Sequence, residues 1–237
     1  MHDDGQMLVP GILGFAPATD AVYLSELQGA VAAGTGSVNR LRTLYASLDT
    51  DRFFGLDEGG RTDEAQELAL SAVRSLRDGG ADFLVVTSNS GSVIVETSAE
   101  QVLPMLDIFD ATMDVVVSSG YRAPGLLSTL RTADSLRYQR AAEERGARVL
   151  LPPREIVERI DDMIDREAIR GVQTEESLGL LQDAVDLLVR DGADSVVLGC
   201  TDLMLFGLDR IGHGVLPVID SSAAHAAAAA RLALRGR

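Results

Sequence analysis

The sequence predicts an α/β protein of two pseudo-twofold-related lobes, each a parallel sheet flanked by helices, with an active site in the cleft between them. Three observations carry this expectation. Short, continuous apolar runs alternate with amphipathic stretches of helical period, the pattern of a parallel sheet covered on both faces. GADFLVVTSNS, Gly80 to Ser90, returns as GADSVVLGCTD, Gly192 to Asp202, at a constant offset of 112 positions. The stretches before these repeats agree in register as well, with Ala72, Val73 and Leu76 falling on Ala184, Val185 and Leu188. A chain of 237 residues with 46% hydrophobic content has enough apolar material for two such lobes.

Taken in chain order, strands are expected at Leu8 to Gly14, Leu44 to Leu48, Phe83 to Thr87, Met105 to Ile108, Pro124 to Ser128, Arg148 to Leu151, Ser195 to Gly199 and Val215 to Ile219. Each is a short apolar run bounded by glycine, proline or polar residues. The amphipathic stretches Glu64 to Gly79 and Glu176 to Asp191 read as helices that feed the third and seventh of these strands. Arg52, in LDTDRFF, falls on a loop. SSAAHAAAAARLALRG forms an Ala-rich C-terminal helix with Ser221 or Ser222 as its N-cap. The link between lobes falls near Val102 to Ile108, so that one lobe holds 1–104 with a returning segment 213–237 and the other holds 105–212. No low-complexity linker separates them.

Charge and cysteine usage narrow the function. A net charge of -15, scattered along helices, argues against nucleic acid and anionic membrane surfaces as partners. A single cysteine forms no internal disulfide, and the start MHDDGQMLVPG lacks the basic-then-apolar pattern of a signal peptide; both fit the cytoplasm. No apolar run approaches a membrane span. The Gly14 to Pro17 loop lacks G-x-G-x-x-G spacing, no phosphate loop occurs, and no cluster has metal-ligand spacing, so neither cofactor nor metal is expected.

The repeat pairs the only thiol, Cys200, with Ser88, and both stand at the carboxyl end of a strand, where open parallel sheets gather functional groups. On opposite walls of one cleft they would flank a carbon from both faces. Asn89, Ser90 and Thr201, at the helix starts that follow, offer amides and hydroxyls to a carboxylate.

ILGFAPAT (Ile12 to Thr19), GADFLVVTSNS, GLLSTLRTADSLRY (Gly125 to Tyr138) and LGCTDL with LPVIDSS together resemble, in order and spacing, the cofactor-independent aspartate/glutamate and hydantoin racemase superfamily. They match its glycine-rich first loop, first thiol motif, central loop and second thiol motif, over nearly the whole chain. The resemblance implies two α/β lobes with the site between them, a homodimer, and two thiols that remove and return the Cα proton on opposite faces. It assigns a distal-carboxylate contact to Arg52 and carboxylate contacts to Thr129 and Thr132, whose other reading is turn formation.

The chain departs from that pattern at informative places. Ser88 replaces the first thiol, and a hydroxyl without an adjacent base is a poor proton acceptor; its plainer reading is a helix cap. The family lysine falls on Ile169, with Arg170 beside it. Ser92 stands where a histidine often follows the first motif, and Arg131 replaces a loop glycine. Asp202 and Tyr138 complete the residues near the motifs, and His2, His213 and His225 lie outside them.

Three readings follow from the sequence. The first is a racemase or epimerase of an acidic or related amino acid, with Cys200 as thiol acid/base near neutral pH, helped by a helix N-terminus, and Ser88 opposite. The second is a single-thiol decarboxylase or isomerase resembling arylmalonate decarboxylase. The third is a catalytically silent carboxylate-binding homologue. In each the partner is a small carboxylate.

Overall fold

The computed structural model describes residues 7–37, 40–212 and 214–236, without the side chain of Thr97; His2 and His213 lie outside the described residues. In chain order the elements are β1 (Pro10–Gly14), α1 (Pro17–Thr35), β2 (Leu44–Ser47), α2 (Thr50–Glu58), α3 (Thr62–Asp78), β3 (Phe83–Val86), α4 (Asn89–Ala99), β4 (Met105–Leu106), α5 (Ile108–Ser118), β5 (Pro124–Ser128), α6 (Leu130–Asp134), α7 (Arg137–Glu143), α8 (Arg154–Arg166), α9 (Glu175–Arg190), β6 (Ser195–Gly199), α10 (Leu208–Gly212), β7 (Val218–Asp220) and α11 (Ser221–Leu234). Two 3₁₀ helices, Ala168–Arg170 and Thr201–Phe206, complete them.

The chain divides into two compact units, 1–107 with 225–237 and 108–224. The sequence had suggested breaks at 104/105 and 212/213. In the first unit a wholly parallel sheet runs β2-β1-β3-β4. Alternate side chains of β3 serve opposite faces, as the two-residue period of a strand requires. Leu84 and Val86 meet Ala69, Val73 and Leu76 of α3 and Val95 of α4. Phe83 and Val85 meet Tyr23, Leu27 and Val31 of α1 and Ala226, Ala229 and Ala230 of α11. Full burial of a leucine such as Leu84 contributes about 2 kcal/mol.

The second unit repeats this plan with a parallel sheet β5-β6-β7. One isolated bridge, Gly125 to Leu150, stands where β2 stands in the first unit. Leu178, Leu181, Val185 and Leu188 of α9 and Ile160 of α8 pack on Val196 and Leu198. The repeat extends to details of backbone. Gly80 and Gly192 turn each helix into its strand with φ of 93° and 91°, a conformation that favours glycine. Asp82 accepts the Val9 N–H at 2.8 Å, and Asp194 accepts the N–H groups of Arg122 and Ala123 at 2.6 and 3.0 Å. The aspartate of each GAD motif therefore fastens the start of the neighbouring strand.

Several expectations are corrected. Arg148 to Leu151 makes only the bridge at Leu150, because Pro152 and Pro153 follow and supply no N–H. The last strand begins at Val218 rather than Val215, since Val215 and Leu216 turn back onto the Gly212 carbonyl. Arg52 lies in α2 and not on a loop, its N–H received by the capping carboxylate of Asp49 at 3.1 Å. The cap of α11 is Asp220: its Oδ1 accepts the Ser222 N–H at 2.8 Å, where Ser221 or Ser222 was expected to cap.

Candidate active site

Ser88 is separated from β3 by Thr87 alone and Cys200 directly follows β6, and their backbones are alike: φ and ψ are -143° and 128° at Ser88, -138° and 129° at Cys200. Each is the N-cap of the helix that follows, α4 in one unit and the Thr201–Phe206 3₁₀ helix in the other. The 112-residue repeat thus places a hydroxyl and a thiol at equivalent positions of two separate sheets.

In the first unit the Ser88 hydroxyl accepts the Gly91 N–H at 3.0 Å, so the capping role is realised. That bond draws on a lone pair, lowers the basicity of the oxygen, and leaves its proton free for donation. Asn89 is buried and Ser90 half-buried in the first turn of α4. Ser92 is buried in the same helix, with its N–H on the Ser88 carbonyl at 2.9 Å. Beside the ends of β1 and β2 lies a depression of about 280 Å³ lined by Phe15, Pro17, Asp20, Ser47, Leu48 and the residues 49–51. Arg52 is next in sequence to that lining, and its side chain is exposed.

In the second unit Cys200 is buried, and its Sγ lies 3.9 Å from Oδ2 of Asp202. Burial, then the Asp202 carboxylate, push the thiol well above its usual range, and Asp161 adds to this. The amides of Asp202 and Leu203 act in the opposite sense but too weakly to prevail, and the sulfur receives no capping hydrogen bond. The amides of the helix start do lower this pKa, as expected, but burial and the Asp202 carboxylate outweigh them, so the net direction is upward and favours the protonated thiol.

The central loop follows β5. Thr129 caps α6, its Oγ1 receiving the Thr132 N–H at 3.2 Å and lying 3.1 Å from Thr132 Oγ1. The turn-forming reading of this pair is thus seen directly. Arg131 is half-buried in the same short helix. Tyr138 is a core residue, edge-on to Phe109 with ring centroids 4.9 Å apart. Thr201 and Asp202 are buried at the 3₁₀ start. The Ala168–Arg170 helix packs on the Thr201–Phe206 helix, with Ile169 and Arg170 exposed. Among the described residues no group of three or more His, Cys, Asp or Glu could hold a metal ion, and no helix is long and apolar enough to cross a membrane.

Two carboxylates near these positions were missed. Asp161 of α8 accepts the Leu130 N–H at 2.9 Å and bears on Cys200. Its place beside Ile160 and Ile164, on the apolar stripe of α8, was the available signal. Asp20 is buried in the first turn of α1, three residues before Tyr23 in the same apolar register.

The sequence model of the Asp/Glu/Hydantoin racemase family matches residues 12–229. The chain belongs to this family. A glutamate racemase from Deinococcus radiodurans is 28% identical over 228 residues, covering 89% of this chain and 76% of that protein. A provisionally assigned Asp/Glu racemase from Yersinia pestis superposes with a TM-score of 0.84 at 28% identity, over 96% of this chain and 100% of the other. An aspartate racemase homologue from Pyrococcus horikoshii gives 0.76 at 22% identity over the same shares, a likeness of fold. Membership of the family supports amino-acid racemase chemistry, an isomerase reaction.

Proposed function

We propose that the chain is a cofactor-independent racemase or epimerase of an acidic or related amino acid, exchanging the Cα proton through Cys200 with Ser88 serving the opposite face. The observation that carries this reading is the matched strand-end placement of the two residues, with the only thiol buried beside the Asp202 carboxylate. Asp202 is the acceptor to which the thiol proton passes. The sulfur then takes the Cα proton, and the electron pair left behind spreads onto the substrate carboxylate as an enediolate. Amides at the starts of α4 and of the Thr201–Phe206 helix stabilise that charge, with Asn89, Ser90, Thr201, Thr129 and Thr132 as the substrate-carboxylate contacts. Arg52, with Arg131 or Arg170, would contact a second carboxylate.

Ser88 returns a proton from its hydroxyl, and the Gly91 N–H that caps it steadies the alkoxide so formed. In the reverse direction that alkoxide must exist before Ser88 can act as a base, so the two faces differ in rate of exchange. The assembly is a cytoplasmic homodimer. Chiral chromatography of aspartate, glutamate and close analogues, incubated with the wild type and with Cys200→Ala, tests the reading: inversion by the first and none by the second is expected.

The upward pKa shift of Cys200 and the capping role of the Ser88 hydroxyl also favour a second reading, a decarboxylase or isomerase in which the thiol only delivers a proton to one face. Release of carbon dioxide from a malonate-type substrate, with a product of one configuration, distinguishes it.

A further inference from the structure

We propose that Asp20 is a positioning residue for the Ser88 side of the reaction, acting through Thr87; the inference rests on the proton-exchange reading above. Three side chains from different elements meet over Gly14, the last residue of β1. Asp20 comes from α1, Tyr45 from β2, and Thr87 from the junction between β3 and α4. Oδ1 of Asp20 accepts the Thr87 hydroxyl at 2.5 Å, and Oδ2 accepts the Tyr45 hydroxyl at 2.9 Å. Asp20 and Thr87 are each 2% exposed. A Cβ on Gly14 would stand 2.5 Å from Asp20 Oδ2 and from the Tyr45 ring and hydroxyl, so only glycine admits the carboxylate here.

A buried carboxylate loses hydration, which charge-assisted hydrogen bonds restore in part. Two hydroxyl donors and a place in the first turn of α1 offset that cost. Tyr45 is itself 43% exposed, and its phenol, protonated at neutral pH, serves as the second donor. If the task were only to join three strands, apolar side chains of similar volume would do so at lower cost.

The carboxylate instead fixes a single hydroxyl. Thr87 has one proton to give. Donating it to Asp20 leaves the Thr87 oxygen to receive the Phe15 N–H at 3.3 Å, while the Thr87 N–H bonds the Leu13 carbonyl at 3.1 Å. Every polar group of Thr87 on that side is thereby committed, and the next residue in the chain is Ser88. Without the carboxylate the hydroxyl turns to the Leu13 carbonyl, 3.2 Å away, and the peptide carrying Ser88 keeps its bonds to the end of β1 but loses its tie to α1.

The test uses Asp20→Ala, Asp20→Asn and Tyr45→Phe in the full chain, in heavy water. Asp20→Ala should reduce inversion about tenfold or more, the scale of a catalytic group displaced by a fraction of an ångström. Exchange with retention, which needs Cys200 alone, should stay within about threefold, since a merely structural loss would lower both. Asp20→Asn, which keeps one acceptor, should fall between, and Tyr45→Phe should change little. A second readout is independent of turnover: hydrogen exchange at the Gly91 amide, bonded to Ser88 Oγ, should quicken in Asp20→Ala while that of Leu203, bonded to the Cys200 carbonyl, should not. If Gly91 stays protected in Asp20→Ala or, should that variant not fold, in Asp20→Asn, the positioning role is wrong. If the wild type exchanges no Cα proton while Gly91 responds as expected, the positioning stands and the proposed reaction is what fails.

Discussion

Lowering the pH should destabilise the protein through His225. Its Nε2 lies 2.9 Å from the Leu106 carbonyl, which can only accept, so the neutral ring carries its proton on Nε2. Nδ1 is buried with no partner, and the ring meets Tyr23 edge-on at 5.8 Å. Tyr23 belongs to the apolar cluster that holds Ile12, Leu27 and the alanines of α11. Protonation would place a charge and an unpaired N–H in that core, and burial accordingly lowers the pKa from 6.5 to about 4, partly opposed by the bond to Leu106.

The folded pKa lies below the unfolded one, so the unfolded state binds the proton first as pH falls. Stability is full above pH 6.5, declines down to about pH 4, and loses nothing further from this group below that. At 1.36 kcal/mol per unit, the expected loss is about 2 kcal/mol between pH 7.5 and 5, and about 3 kcal/mol in all. Urea unfolding at pH 7.5, 6 and 5 reads this directly, with His225→Gln as reference because it keeps a donor for Leu106 and cannot titrate in this window. The wild type should lose the stated amount relative to the variant. Parallel pH curves, or a His225 imidazole resonance that titrates near 6.5, would refute the reasoning.

Two further predictions concern the site. Asp202→Asn removes the second-largest influence holding Cys200 protonated, so the pH at which iodoacetamide alkylates the thiol should fall, though not to that of a free cysteine, because burial remains. An unchanged alkylation profile would dissociate Asp202 from the sulfur. Ser88→Cys replaces a hydroxyl by a far more acidic thiol at a capped position, so the rate of inversion should rise about tenfold or more, measured by chiral chromatography; a fall would mean that the hydroxyl itself is required.

The fold was legible wherever local pattern and long-range pairing agree. Phe83 to Thr87 and Ser195 to Gly199 are buried strands preceded by amphipathic helices, and the structure places them within a residue of expectation. Elements failed where a neighbouring turn or proline withdrew the ladder partners, as at Leu150 and Val215. In the site, the repeat alone identified Ser88 and Cys200 as equivalent positions. It carried no information on the groups that tune them, because Asp161 reaches Leu130 across 31 residues and Asp20 reaches Thr87 across 67. The net direction of the Cys200 pKa was illegible for the same reason. A helix start is visible in sequence, whereas burial and a carboxylate 3.9 Å away are properties of the folded chain.

Deuterium incorporation at Cα tests the central claim most directly. The L and D forms of aspartate, glutamate and close analogues are incubated in heavy water with wild type and Cys200→Ala, and followed by NMR and mass spectrometry. Exchange with inversion in the wild type, abolished in the variant, is the predicted result. Exchange that persists without the thiol, or none across the panel in the wild type, would contradict it.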